Sequence, residues 1–380
     1  MRLTSAAGTR VPDTTPARSA GLLEALAAPS PDPEFLRRVL DALPEGAVPA
    51  LLDRISWHRI DGLAHRALVR IGRGDDGGWL ARSLRRRAQR CAAATLAQGL
   101  ALAEVLDGLD RGSIPAAVMR GLRMVESVYG DPSVRPFEDH DLLVLPGDFD
   151  AARAAIRRMG FDEPVPGYFR RGGVFLDLHA DPLGARRRPT RAAVFPLHAA
   201  PILARAVPGR VAGAPALLPE AEDELILTGV HLVKHSFDRL VRIADIAHFL
   251  AVRSAALRWD VLAARAVATR TLPLLCRAAE AAAPLGVPVP PALRAAHRSP
   301  AEAWLMRRAA ALRPLPYTGE VLMLLAARGA GARLRFLLDA ILPAGEAPGD
   351  AWGRTALFPA RALDLARGAL RQIGERRPGR

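Results

Sequence analysis

The chain has 380 residues, half of them hydrophobic, and a formal net charge of +14. It is long enough to bury a sizeable core and to hold more than one structural unit. The charge would ordinarily point to an anionic partner, but Lys234 is the sole lysine, asparagine is absent and alanine and arginine dominate, which is the bias of a GC-rich coding sequence rather than a basic groove. With aromatics at 5% there are few side chains for base stacking, so specific nucleic-acid binding is not indicated. Cys91 and Cys276, far apart and without ligand spacing, exclude a disulfide scaffold or a cysteine zinc site and predict a reducing, cytoplasmic setting. Arginines are read as interrupting every long apolar run, so no membrane span is expected.

In chain order, residues 1–20 lack the apolar stretch of a signal peptide and read as a disordered tail. Residues 21–112 read as a helical region: Phe35, Val39 and Leu43 form one apolar stripe, and Leu96, Leu100, Ala103 and Leu106 another. Arg85 to Arg87 suit a solvated helix face. The character changes over residues 113–182. An apolar β-type run from Ile114 to Met119 ends in Arg120-Gly121, and a short helix from Leu122 to Tyr129 follows. Asp139-His140-Asp141 then opens the strand Leu142-Leu143-Val144. A helix is predicted where Phe149, Ala152, Ile156 and Met159 recur, with Asp148 and Asp150 at its start and Gly160 at its end. Val174 to His179 is the next strand.

Residues 183–219 read as a connection rich in Pro, Gly and Arg, with short strands around Val194 to Leu197 and Arg210 to Ala212, and with Arg186 to Arg188 as a solvated loop. Residues 220–380 read as helical again. Ile226, Val230, Val233 and Phe237 make a buried stripe beside a polar one of Glu224, Thr228, His231, His235 and Asp238, and Leu240, Ile243, Ala247 and Leu250 mark the helix that carries Asp245.

Strand alternation turns Asp139 and Asp141 to one face, where they repel unless a cation or a proton stands between them. A hard divalent metal is the usual resolution. Asp177 offers a third carboxylate, and His179 shares its face. At the turn from strand to helix, Gly121 lets backbone approach a phosphate, and Arg120, Arg123 and Arg135 are candidates to meet its charge. His231 and His235 stand one helical turn apart, but Leu232 takes the place of the glutamate of a metalloprotease signature, so a zinc site is not favoured.

Val118-Met119-Arg120-Gly121, Tyr129-Gly130-Asp131-Pro132, Arg135-Pro136, Asp139-His140-Asp141-Leu142-Leu143-Val144 and Leu176-Asp177-Leu178-His179 together resemble the uncharacterised nucleotidyltransferase family of bacteria, a branch of the DNA polymerase β-like superfamily. The likeness continues through Glu222 to Leu250. One departure is Arg120, where the family carries lysine. The resemblance implies an α+β fold, a small mixed-sheet core flanked by N-terminal and C-terminal helical regions. It implies transfer of a nucleotide from an NTP to an unknown hydroxyl or phosphate acceptor, a small molecule, peptide or saccharide. Asp139 and Asp141 would bind Mg²⁺ or Mn²⁺, Asp177 would complete the metal site and take the acceptor's proton, and Arg120, Gly121, Arg123, Arg135, His179, His231 and Lys234 would face the nucleotide. A catalytically weak nucleotide-binding protein and a toxin-type transferase are the alternatives.

Overall fold

The computed structural model describes residues 16–75, 78–184, 189–294, 299–315 and 317–341. Arg186 to Arg188 lie outside the described residues, as do residues 1–15 and everything beyond Ile341. Five helices come first: α1 Pro16–Ala27, α2 Pro33–Asp41, α3 Val48–Trp57, α4 Asp61–Arg70 and α5 Trp79–Arg111. α1 therefore begins inside the stretch read as a tail. α2 starts sharply because the Asp32 carboxylate accepts from the amides of Glu34 and Phe35 while Pro33 takes the first helical position.

The strands are β1 Ala117–Val118, β2 His140–Leu143, β3 Asp162–Val165, β4 Tyr168–Arg171, β5 Val174–His179, β6 Val207–Val211 and β7 Ala214–Leu218. They form one mixed sheet in the spatial order β3-β4-β5-β2-β1-β7-β6. β2 is parallel to β5 and β1 to β7, while the other neighbours are antiparallel. The shorter helices α6 Leu122–Met124, α7 Phe149–Arg158, α8 Pro189–Val194 and α9 Ala199–Arg205 link strands. After the sheet come α10 Ala221–Lys234, α11 Leu240–Arg253, α12 Trp259–Ala268, α13 Leu272–Ala282, α14 Pro300–Ala310, α15 Thr318–Ala326 and α16 Ala330–Ile341. The fold is α+β, a mixed sheet with helical flanks.

The two faces of the sheet meet different partners. Val118, Leu142, Phe169, Leu176 and Leu178 turn to one side and pack with Leu102, Val105 and Leu106 of α5 and Phe149, Ala152 and Ile156 of α7. Ala117, Met119 and Leu143 turn to the other and join the larger cluster, which unites α1–α4 with α10–α13. α5 serves both, since Ala81 and Leu84 lie in the second cluster and its carboxyl-terminal half in the first. The residues between Arg90 and Arg111 carry no arginine, so, against expectation, α5 is by length and composition apolar enough to cross a membrane.

Several local readings are corrected. β1 spans two residues rather than the whole run from Ile114 to Met119, and the helix after Gly121 turns into a π-helical turn at Val125–Tyr129. Val194 closes α8, so no strand covers Val194 to Leu197. The stretch read as a connection holds two helices and the β6–β7 hairpin, whose inner strand pairs with β1 through Ala117 and Leu217. Pro208, Gly209 and Pro215 read as loop punctuation, yet β6 is an edge strand, and the register leaves Pro215 with only β6 beside it, where a missing amide is tolerated.

Candidate active site

The site is built by register. β2 and β5 run parallel with Asp141 opposite Asp177 and Leu143 opposite His179, so alternation sets Asp141, Asp177 and His179 on one face, with Asp139 just ahead of β2. That face is the one turned toward α10. β1 enters from the other flank: Met119 donates its amide to the Asp141 carbonyl at 3.0 Å, and the chain then turns at Gly121. Gly121 has φ +61 and ψ −118, and a Cβ there would stand 3.1 Å from the Asp139 carbonyl oxygen. Glycine is thus required by the protein's own backbone, whatever ligand approaches the turn.

Asp141 is enclosed. Arg120 grips it with both ends of its fork, Nη2 to Oδ1 at 2.7 Å and Nε to Oδ2 at 3.0 Å, and His179 Nε2 stands 3.0 Å from Oδ1. Burial would raise the Asp141 pKa, but Arg120 and His179 outweigh it and hold the carboxyl well below the usual range. His179 Nε2 also lies 3.3 Å from Asp177 Oδ2. Burial works against charge on this imidazole, yet the bonds to Asp141 and Asp177 raise its pKa above that of a free histidine. Asp139 goes the other way: burial, and then the Asp141 charge, push it up to about 6, with Arg120 only partly compensating. The repulsion expected of the pair therefore falls on Asp139. Oxygen atoms of Asp141 and Asp177 and a nitrogen of His179 lie within 4.8 Å of one another, a set able to hold a metal ion.

α10 closes the face. Its polar stripe is not a solvated surface: Glu224 and Thr228 are buried, and Thr228 donates to the Glu224 carbonyl at 2.7 Å. The His231 and His235 rings meet at a tilt of 49° with centroids 4.4 Å apart, and no acidic residue completes a cluster with them among the described residues. Burial and the nearby Arg120 keep His231 neutral, and burial with Arg242 takes His235 down to about 3. Lys234 faces the same carboxylates, with its pKa lowered to about 8 by burial and by Arg120 and Arg191. Among the described residues it makes no hydrogen bond or ion pair.

Two arginines expected at the nucleotide are engaged elsewhere. Arg135 is buried and forks onto Asp245 of α11, Nη2 to Oδ2 at 2.7 Å and Nε to Oδ1 at 3.1 Å, while the Tyr129 phenol donates to Oδ1 at 2.8 Å. Arg123 points its Nη2 at Glu224 Oε2, 3.4 Å away, and Ser127 donates to the other oxygen at 3.2 Å. The candidates gathered on one face are thus Asp139, Asp141, Asp177, His179, Arg120, His231 and Lys234. Neither Asp245 nor Glu224 was assigned a partner from sequence, and spacing offers no signal for contacts across about a hundred residues.

A family model described as an uncharacterised nucleotidyltransferase matches residues 44–285, more than half of the chain. The chain belongs to this nucleotidyltransferase family. The match runs from just before α3 to just after α13, so the family unit embraces the sheet together with helices on both sides of it. No curated protein and no solved structure matches the chain.

Proposed function

We propose that this member of the nucleotidyltransferase family moves a nucleoside monophosphate from an NTP to a hydroxyl or phosphate acceptor at the face shared by β2 and β5. The observation that carries the reading is the register of Asp141 against Asp177, with Asp139 two residues before Asp141. Asp141 and Asp177 lie together with His179, and Asp139 beside them is raised to about 6 by burial and by the Asp141 charge. Asp139, Asp141 and Asp177 would hold divalent cations, Mg²⁺ or Mn²⁺, because hard cations take oxygen ligands. When bound, such cations neutralise the charge of attacking and leaving oxygens.

The chain's own groups account for the rest. Lys234, lacking a partner among the described residues, meets the β- and γ-phosphates, and Arg120 at the end of β1 stands beside the α-phosphate. The acceptor oxygen bonds to the α-phosphorus, the bond to the bridging oxygen of the β-phosphate breaks, and pyrophosphate leaves. The acceptor's proton passes to Asp177, which lies within reach of His179. One observation favours the rival reading of a nucleotide binder with little turnover: Arg120, in place of the family's lysine, occupies both oxygens of Asp141. Incubation of the purified chain with each α-³²P-labelled NTP, Mg²⁺ and a metabolite extract tests the proposal. Label transferred to an acceptor supports it, whereas tight NTP binding without transfer to any acceptor would leave the rival reading standing.

A further inference from the structure

Beyond Asp177 the sheet continues outward through β4, and its site-side face carries two aromatic rings. Tyr168 lies directly opposite Asp177 in the β4–β5 register, and Phe175 opposite Arg170. Tyr168 and Phe175 are diagonal neighbours whose rings stack, with centroids 6.0 Å apart and 21° between planes. Both are half-buried rather than enclosed.

Their position is unusual for this chain, which has 11 phenylalanines and 3 tyrosines. Among the described residues, every phenylalanine except Phe175 belongs to or packs against one of the two apolar clusters. Tyr168 also stands outside both, although Tyr129 is core. Leu176 and Leu178, on the opposite face of β5, supply the strand's contribution to the core. The two rings thus lie outside both apolar clusters and are half-buried beside the site. The Tyr168 phenol is raised by burial and then by the charges of Asp139, Asp177 and Glu138, so the stack lies beside the reacting carboxylates. Its far edge is marked by Arg170, exposed and 3.9 Å from Asp162.

The two ends of the site differ accordingly. On the β1 side stand Arg120 and Lys234, suited to phosphate; on the β4 side stand a ring stack and a single exposed cation. We propose that the Tyr168–Phe175 stack is the seat of the acceptor, taking a ring with a broad face, aryl or pyranose, laid against the aromatic faces with its hydroxyl turned to Asp177. This assignment rests on the transferase reading above. Open-chain alcohols lack the face that stacking requires.

The test is saturation-transfer NMR on the full chain with methyl β-D-glucopyranoside, N-acetyltyrosinamide and, as an open-chain control, glycerol. At least one ring probe is expected to receive saturation while glycerol does not, and the better of the two tells a sugar acceptor from an aryl one. Tyr168→Ala and Phe175→Ala should each weaken that binding by about tenfold, the scale of one lost stacking partner. Tyr168→Phe and Phe175→Tyr, which keep a ring, should restore it and show that the fold is intact. Equal saturation of glycerol, silence of both ring probes, or unchanged binding by both alanine variants would overturn the proposal. Mg-NTP affinity, followed separately by calorimetry with each of the four NTPs, distinguishes the two levels. Its absence for all four in the wild type would count against the nucleotide site itself and not against the stack. That affinity persists in the alanine variants if the stack serves the acceptor, and its loss in them would assign the rings to the nucleotide base instead.

Discussion

Two buried arginine–aspartate forks stand in this molecule, nearly identical in geometry and opposite in situation. Arg135 holds Asp245 at 2.7 and 3.1 Å, and Arg120 holds Asp141 at 2.7 and 3.0 Å. The first is balanced: one cation, one anion, a neutral phenol from Tyr129, and the Tyr129 ring packed on His248 with centroids 4.7 Å apart. The second is crowded. Asp139 and Asp177 add two carboxylates, with His179 and Lys234 nearby on the other side of the balance. A closed fork ties the loop ahead of β2 to a helix, whereas a fork with surplus charge of both signs is a candidate ligand site. Burial and bond length alone do not separate the two.

The comparison can be broken most severely at the balanced fork. Asp245→Ala leaves Arg135 buried without its counter-charge, and urea unfolding should show a loss of about 3–5 kcal/mol. A loss below about 1 kcal/mol, no more than a surface pair, would mean the fork does not hold α11 to the loop ahead of β2. At the crowded site the largest effect should be on chemistry. Asp177→Ala is expected to keep NTP affinity within several-fold while lowering label transfer by at least about a hundredfold, as for a lost proton acceptor. Undiminished transfer would remove Asp177 from that role.

Lys234→Ala should weaken Mg-NTP binding by about tenfold in calorimetry, one charge-assisted contact to phosphate, with little change in stability. The smallest effect has an opposite sign at neighbouring residues. Asp139 is raised, so between about pH 4 and pH 6 the folded chain keeps a proton that the unfolded chain has released, and stability falls as pH rises through that window. Asp139→Asn should therefore stabilise the metal-free protein at pH 7, by about 1 kcal/mol after allowance for solvent screening. Asp141 is depressed by Arg120 and His179, so Asp141→Asn should destabilise it, and equal thermal shifts for the two variants would contradict the assignment.

Much of this was legible because it is local. Asp139 and Asp141 share a face by alternation, and Asp177 and His179 follow by the same rule on the next strong strand. Gly121 was legible as a turn glycine, though the structure adds a reason of its own, the nearby Asp139 carbonyl. What stayed hidden depended on distant partners. Arg135 has the charge to meet phosphate, and nothing in Arg135-Pro136 discloses that Asp245 waits 110 residues away. β3 and β4 went unread because Asp162-Glu163-Pro164-Val165 carries a proline and the hairpin lies at the sheet's edge, where burial imposes little apolar pattern. The polar stripe of α10 was legible as a face, but helical spacing does not say whether water or another charged element lies against it.

β1 is two residues long, sits near the middle of the sheet, and has β7 on its outer side, paired through residues a hundred positions apart. Order of synthesis then matters. When the ribosome has delivered the carboxylate strands, the sheet still ends at a short, open edge, and the hairpin that covers it has yet to be made. A fragment stopping at His179 would carry the three carboxylates and the β1–β2 pairing that brings Arg120 to Asp141, and would lack both the β7 cover on β1 and Lys234 of α10. Completing that edge requires closing a long loop, whose entropy must be met before the pairing is gained.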